Sequence, residues 1–334
     1  MADETSTTSQ PLTTALIQVA RTAGYAPSVH NTQPWRWRVL PDRLELFAVR
    51  DRQLSGIDPD GRLLMISCGA ALDHARAALA AEGWASRVDR LPDPGDPDLL
   101  ARLTPGERTS PPAGAMRAVQ SMRVRHTDRR PVSDQPVPAS ALDAVREAAA
   151  DHVSLPILSR EQVLELAAAA SQASAAEAED PQIAEELRYW TSRATPAGTG
   201  VPAEVLPQEP PQTTVPGRDF GGPGTLPVGA GHDRAAVYAV LFGDEDEPDS
   251  WLRAGEALSA AWLTATALGI SVVPLSWVVE VGGTRQTLRR LLAGLGHPYV
   301  VLRLGIMDPE HAGPPHTPRL PADQVVDTSA VGGH

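Results

Sequence analysis

The chain contains no lysine. All 29 basic residues are therefore arginines, which excludes Schiff-base chemistry, a lysine general base and the lysine of a Walker-type phosphate loop. A single cysteine, Cys68, is present. It rules out an intrachain disulfide and any cysteine-rich zinc or iron–sulfur site, a usage that fits a reducing compartment. Positive charge is scarce as well: 41 acidic residues leave a formal net charge of −12, which removes the bulk electrostatic basis for wrapping nucleic acid or docking on anionic lipid. No apolar run reaches the ~18 residues of a membrane span, and the N-terminus is acidic and polar. The expectation is a cytoplasmic protein with neither nucleic acid nor membrane as partner. No G-x-G-x-x-G run marks a separate dinucleotide-binding domain. His311 and His316 lie in a Pro-rich tail without a carboxylate set around them, so no metal site is expected.

What is there is a large folded chain. At 334 residues, with 42% hydrophobic and 21% charged positions, it has room for two lobes and a sizeable core. Apolar periodicity predicts a helix opening at Pro11 and closing at Gly24, then strands over 35–39 and 43–49 around a Pro41-Asp42 turn. A second helix follows from about Asp58-Pro59 to Gly83, then a strand over 84–88. The proline-rich stretch 92–114 reads as a linker with a short helix at about 99–103. Beyond it the pattern predicts helices over 115–124, 138–150 and 160–191, and a strand over 153–158. Strand 235–242, helix 250–268, strand 270–275, helix 284–292 and strand 299–306 complete the regular part. Residues 195–231 interrupt this order with eight Pro and eight Gly in 37 positions, an excursion of the kind that is either functional or disordered. Strands interleaved with helices indicate an α/β or α+β architecture.

An internal echo links two of the helices. Setting 68–84 against 254–270 without gaps matches Gly69 with Gly255, Ala71 with Ala257, Leu72 with Leu258, Ala75 with Ala261 and Gly83 with Gly269, and a strand pattern follows the last glycine in both. Either two alanine-rich helices coincide by composition, or a half-domain is duplicated.

Two constellations could carry chemistry. The loop 26–35, Ala-Pro-Ser-Val-His-Asn-Thr-Gln-Pro-Trp, sets hydroxyl, imidazole and two amides between a helix and a strand. Asn31 and Gln33 each donate and accept in one plane, which suits a flat heterocycle with imide edges, or they shape a turn over a buried Trp35. The second, 123–131, is the tight arginine cluster of an acidic chain. In extended backbone Arg125, Thr127 and Arg129 point the same way and present two guanidinium forks with a hydroxyl between, a geometry for a phosphate or simply a solvated charge run. Arg303, inside the apolar strand 299–306, needs an anion or a carboxylate to face.

The helix–APSxHNTQPW–strand unit, the following R-x-T-x-R and the C-terminal Gly–helix–Gly–strand unit together resemble the nitroreductase superfamily, in particular its Acg-type actinobacterial branch, over about residues 12–306. The resemblance implies an α+β flavoprotein with mixed or antiparallel sheets flanked by helices, made of two fused half-domains forming a pseudo-dimer: a first half over 12–91, the linker 92–114, a second half over 115–306 carrying a Pro/Gly-rich lid at 195–231, and a tail over 307–334. It implies one FMN per chain, with Arg125, Thr127, Arg129 and Arg303 on the phosphate and Ser28, Asn31 and Gln33 on ribityl and ring atoms. Residues 270–276 would lie beside the flavin, and Trp277 either stacks on it, closes its pocket or belongs to the core. The implied function is hydride transfer from NAD(P)H through FMN to a nitro, quinone or similar small-molecule acceptor, with no side-chain acid required, by a pseudo-dimeric monomer or a homodimer. The alternative is a non-enzymatic protein that sequesters FMN beneath the lid.

Overall fold

The computed structural model describes residues 4–151, 153–191, 198–222, 224–229, 231–309 and 313–331, with side chains from Leu12 onward; His311 lies outside the described residues. Helix α1 (Glu4–Ala23) runs to the turn at Gly24 and so begins before Pro11, where the sequence places its start. Trp35, Trp37 and Val39 alternate with Arg36 and Arg38, and strand β1 (Trp35–Val39) accordingly buries every second residue. It pairs antiparallel with β2 (Leu44–Ala48). Helix α2 (Arg62–Ala81) leads into β3 (Trp84–Arg90).

The proline-rich stretch contains β4 (Leu99–Arg108) and not the short helix expected there. Leu99, Leu100, Ala101 and Leu103 are buried, and the strand lies between β3 and β2 in the sheet. The prolines flank it or, like Pro105, sit where the ladder with β3 shifts register; proline is tolerated at such irregular positions. The sheet order is β3-β4-β2-β1-β8. Its last member, β8 (Val326–Asp327), follows the short helix α10 (Ala322–Val325) and pairs parallel with β1. The tail thus returns to the first sheet, an order that composition alone did not show.

The second part carries α3 (Ala113–Val124), α4 (Ala139–Ala149), α5 (Arg160–Glu179) and α6 (Pro181–Thr191). A serine-glutamine capping box at Ser159 and Gln162 opens α5, and Asp180-Pro181 separates it from α6. The expected strand over 153–158 is reduced to isolated bridges, Ser154 to Phe242 and Ile157 to Ala239. Strand β5 (Val237–Gly243), helix α7 (Pro248–Ala267), β6 (Ser271–Leu275), α8 (Trp277–Glu280), α9 (Gly282–Leu291) and β7 (His297–Gly305) follow. They give an antiparallel sheet of order β5-β7-β6. The fold is α+β, with mixed and antiparallel sheets flanked by helices.

Helices α2 and α7 make the most extensive helix–helix contact. At their crossing Gly69 faces Gly255: a Cβ on Gly69 would lie 2.0 Å from the Leu252 carbonyl oxygen, and one on Gly255 would lie 2.0 Å from that of Ile66. Only glycine permits so close an approach. Four residues on in both helices, the Ser259 hydroxyl donates to Asp73 at 2.6 Å, and its oxygen meets His74 Nδ1 at 2.9 Å. Glu256, fully buried, binds Arg76 at 3.0 Å and Arg90 at 2.7 Å. Helix α2 is the one helix among the described residues long and apolar enough to cross a membrane; 78% of its apolar window is buried inside the fold, as befits a central core helix. Cys68 lies on it, buried, with its thiol pushed up by desolvation.

Candidate active site

Between the two parts lies a cavity of about 730 Å3, within the size range of small-molecule and cofactor sites. Its walls include the loop 27–31, the loop after α3, the excursion from Val201 to Gly222 and the tail around Thr317 and Arg319, together with parts of α2, α7, β6, β7 and Trp277. Helix α2 fixes the first of these, because Ser67 Oγ accepts from the Val29 N–H at 3.1 Å and Ser28 Oγ accepts from the Gln33 N–H at 2.9 Å. Asp58 accepts from the Leu63 and Leu64 N–H groups at the start of α2, and its burial raises the carboxyl to about 7.

The loop is conformationally costly. His30, Asn31 and Gln33 have φ of 44°, 55° and 49°, a left-handed region that non-glycine residues enter only at a cost. Their side chains explain part of this. Asn31 Nδ2 donates to the carbonyls of Gly200 (3.1 Å) and Pro318 (2.9 Å), and Gln33 Nε2 donates to that of Gly198 (2.7 Å) while Gln33 Oε1 accepts from the Leu320 N–H (2.9 Å). Asn31 and Gln33 therefore fasten the start of the excursion and the tail to the loop. Asn31 still lines the cavity together with Ser28 and His30; Gln33 does not, because both ends of its amide are engaged away from it. The Asn31 amide is engaged in the same way, since its Oδ1 accepts from Arg319 at 3.2 Å.

The arginine cluster behaves as its alternation suggests. Helix α3 ends at Val124, Arg125 has extended backbone, and Arg125, Thr127 and Arg129 all line the cavity. Arg125 lies over the Trp262 ring at 4.4 Å and Arg129 over Phe220 at 5.1 Å. Their hydrogen bonds to protein are long, 3.4 Å to the Tyr25 carbonyl and 3.5 Å to that of Val205. Arg319, from the tail, joins them, held by the Thr317 hydroxyl at 2.7 Å and by the carbonyls of Gly24 and Tyr25. Among the described residues none of these three guanidinium groups has a carboxylate within ion-pair distance. Desolvation pushes Arg125 down to about 9 and Arg129 and Arg319 to about 10. They remain cations at neutral pH, poorly solvated and turned toward one space. The neighbouring Asp128 is not available to them, since it is bound bidentately by Arg130 at 2.7 and 2.9 Å.

Arg303 also lines the cavity, but its charge is already met. Its guanidinium lies 3.4 Å from Asp233 and donates to the carbonyls of Asp128 and Arg130 at 3.0 and 2.7 Å. It braces the arginine loop from behind, and the counter-charge its strand position demanded is Asp233. Asp233 in turn accepts from the Val132 N–H and from Tyr238. Trp277 is buried and also lines the cavity.

Two residues escaped the sequence reading. Arg319 stands alone in a Pro-rich tail, with no periodicity to announce it. Arg218 lies inside the excursion, buried, with Glu177 of α5 at 2.6 Å, Glu280 of α8 at 2.8 Å and His30 Nε2 at 3.1 Å. Around it Val201, Val205 and Leu206 form a small apolar cluster with Phe220 packed on it. Burial, and next the Arg218 and Arg129 charges, hold the His30 imidazole well below its ordinary value. Burial raises Glu177 to about 7 against the pull of Arg218, with Glu280 adding to the rise.

Comparison with known proteins assigns the chain to a family. No family model matches the chain. It is 40% identical over 312 residues to the Mycobacterium tuberculosis protein named "Putative NAD(P)H nitroreductase Rv3131", spanning 90% of this chain and 88% of that one. It is 34% identical over 330 residues to "Putative NAD(P)H nitroreductase acg" of the same organism, spanning 96% and 97%. Solved structures with a partial likeness include the FMN-dependent nitroreductase NfnB of Mycobacterium smegmatis in complex with NADPH (TM-score 0.42, 18% identity, 64% of this chain and 99% of that one). An FMN-bound nitroreductase of Bacteroides fragilis is another (TM-score 0.37, 15% identity, 60% and 93%). The chain belongs to the NAD(P)H nitroreductase family represented by Rv3131 and Acg, and the assignment rests on these sequence relatives.

Proposed function

We propose that the chain is an FMN-dependent oxidoreductase that takes hydride from NAD(P)H and passes it to a nitro, quinone or similar small-molecule acceptor. The observation that carries the reading is the convergence of Arg125, Arg129 and Arg319 on one cavity without a carboxylate partner. Buried cations in that state call for an anion, and guanidinium forks flanking the Thr127 hydroxyl suit a phosphate. The residues present therefore fit FMN: Arg125, Thr127, Arg129 and Arg319 would hold its phosphate, and the Ser28 hydroxyl would meet its polar edge. Arg303 keeps the arginine loop in place, and Trp262 and Trp277 offer apolar surface. Bound FMN would supply two-electron hydride chemistry; the chain supplies position, charge and exclusion of water. The Val201–Gly222 segment covers the space with Val205, Leu206 and Phe220, which supports a lid through which donor and acceptor pass in turn.

The reciprocal contact of Gly69 with Gly255, in which each meets the carbonyl three residues before the other, supports two duplicated halves related by a pseudo-twofold axis. With the amide loop and the arginine cluster present once each, the reading is one FMN per chain. The second reading, sequestration of FMN, is favoured by the ties of Asn31, Gln33 and Arg218 that hold the excursion shut. Anaerobic addition of NAD(P)H to FMN-loaded protein separates them: bleaching of the flavin band supports the enzyme, and persistent colour supports sequestration.

A further inference from the structure

His30 is an imidazole in the cavity wall whose tautomer the structure dictates. Its Nε2 lies 3.1 Å from Arg218 Nη1, and a guanidinium nitrogen only donates. Nε2 is therefore the acceptor, without a proton, and in the neutral ring the proton resides on Nδ1. Among the described residues Nδ1 meets no protein acceptor, while His30 lines the cavity and its backbone is held at φ 44°, ψ 25°. The arginine that imposes this state belongs to the excursion. Arg218 is itself fixed by Glu177 and Glu280, and Phe220, two residues on, packs edge-on against the His30 ring at 5.8 Å.

We propose that His30 is a neutral hydrogen-bond donor to the ligand in the cavity, through Nδ1–H, and that closure of the excursion creates this donor by placing Arg218 on Nε2. The inference rests on the cavity being the ligand site proposed above. A neutral imidazole gives a directed N–H to an oxygen gaining negative charge, such as a quinone carbonyl or a nitro oxygen, without leaving a buried cation behind. No proton leaves the ring, since the imidazolate that would result is far too basic. The charged groups facing His30 are Arg218 from the excursion and Arg129 from the arginine loop, and both oppose its protonation. Glu177 and Glu280 act on it through Arg218, which makes Arg218 a positioning residue. Opening the excursion would return Nε2 to water and free the ring to adopt its commoner Nε2–H tautomer or to protonate.

Long-range 1H–15N NMR of the full chain reads this tautomer without any flavin, with the His30 signals assigned by their disappearance in His30→Gln. The expected result is an Nδ1–H ring that does not titrate between about pH 5.5 and 8, where an ordinary imidazole would. Arg218→Ala, which removes the donor on Nε2, should move it to the Nε2–H form and raise the pH at which it titrates, since one of the two charges opposing protonation is gone. An Nε2–H tautomer or an ordinary titration in the unaltered chain overturns the proposal, whether or not the variant folds. With FMN bound, stopped-flow reoxidation by a benzoquinone should slow about 10-fold or more in His30→Phe, as for loss of a donor to developing charge, with partial rescue in His30→Gln. Reoxidation of His30→Phe at the unaltered rate overturns the donor role. A chain that shows the Nδ1–H tautomer but binds no FMN would contradict the flavin reading and leave the tautomer assignment standing.

Discussion

Gly69 and Gly255 touch, Cα to Cα environment, at the crossing of α2 and α7, each against the carbonyl three residues before the other. The relationship is reciprocal, as at a twofold interface, yet both helices belong to one chain. A methyl at either position has no space, because the obstructing atoms are backbone. Gly69→Ala should therefore cost about 1–3 kcal/mol or more through overpacking. Gly283→Ala, where a Cβ meets nothing within 4 Å, should cost nothing. Urea unfolding of both variants checks this.

Arg129→Ala should weaken FMN binding by about 1.5–3 kcal/mol, the range for a hydrogen bond to a charged group. Arg319→Ala should do the same, a residue that no motif identifies. Stability of the flavin-free chain should change little in Arg129→Ala, whose one hydrogen bond to protein is long, whereas Arg319→Ala also unpairs the Gly24 and Tyr25 carbonyls, Asn31 Oδ1 and the Thr317 hydroxyl and should lower it. Fluorescence titration with FMN, alongside urea unfolding of the flavin-free variants, measures both. Unchanged affinity in a folded Arg125→Ala, Arg129→Ala double variant contradicts the phosphate assignment.

Closure of the excursion should weaken as pH rises. Glu177 has its carboxyl raised to about 7 in the closed arrangement, chiefly by burial. A raised value means the contribution to closure is full below the ordinary carboxylate range and is lost as pH rises through about 7. Arg218, Glu280 and His30 share the cluster, and Asp58 is close enough for the Glu280 charge to act on it. The dissociation rate of FMN should increase between about pH 4.5 and 7, and Glu177→Gln should flatten that profile.

Replacing residues 202–229 with a short Gly/Ser link should raise the rate of flavin reduction by NAD(P)H and leave Arg125, Arg129 and Arg319 in place, because gating by a covering segment would be gone. Stopped-flow bleaching at equal FMN occupancy tests it. A shortened chain that binds FMN normally but is reduced no faster shows that the segment is no lid.

Periodicity made most of the fold legible, since strands such as Trp35–Val39 and helices such as Pro248–Ala267 carry their burial pattern locally. The strand Leu99–Arg108 was hidden because prolines at 92, 94, 97 and 105 mask four buried apolar residues whose partners, β2 and β3, are supplied from elsewhere in the chain. The arginine cluster was legible because its members alternate within five residues. Arg319 and Arg218 were not, since their meaning comes from residues roughly 200 to 290 positions earlier, Asn31 and His30. Gln33 was evident as part of a motif, but its donation to the Gly198 carbonyl and its acceptance from the Leu320 N–H are contacts that only the folded excursion and tail reveal.

The central claim is that one FMN, held by the unpaired arginines, is reduced by NAD(P)H within one chain. Anaerobic titration of FMN-saturated protein with NAD(P)H, followed at the flavin band, tests it most directly. Complete bleaching at one equivalent of reductant per chain is expected; an end point of two equivalents per chain, or colour that persists in excess reductant, would contradict it.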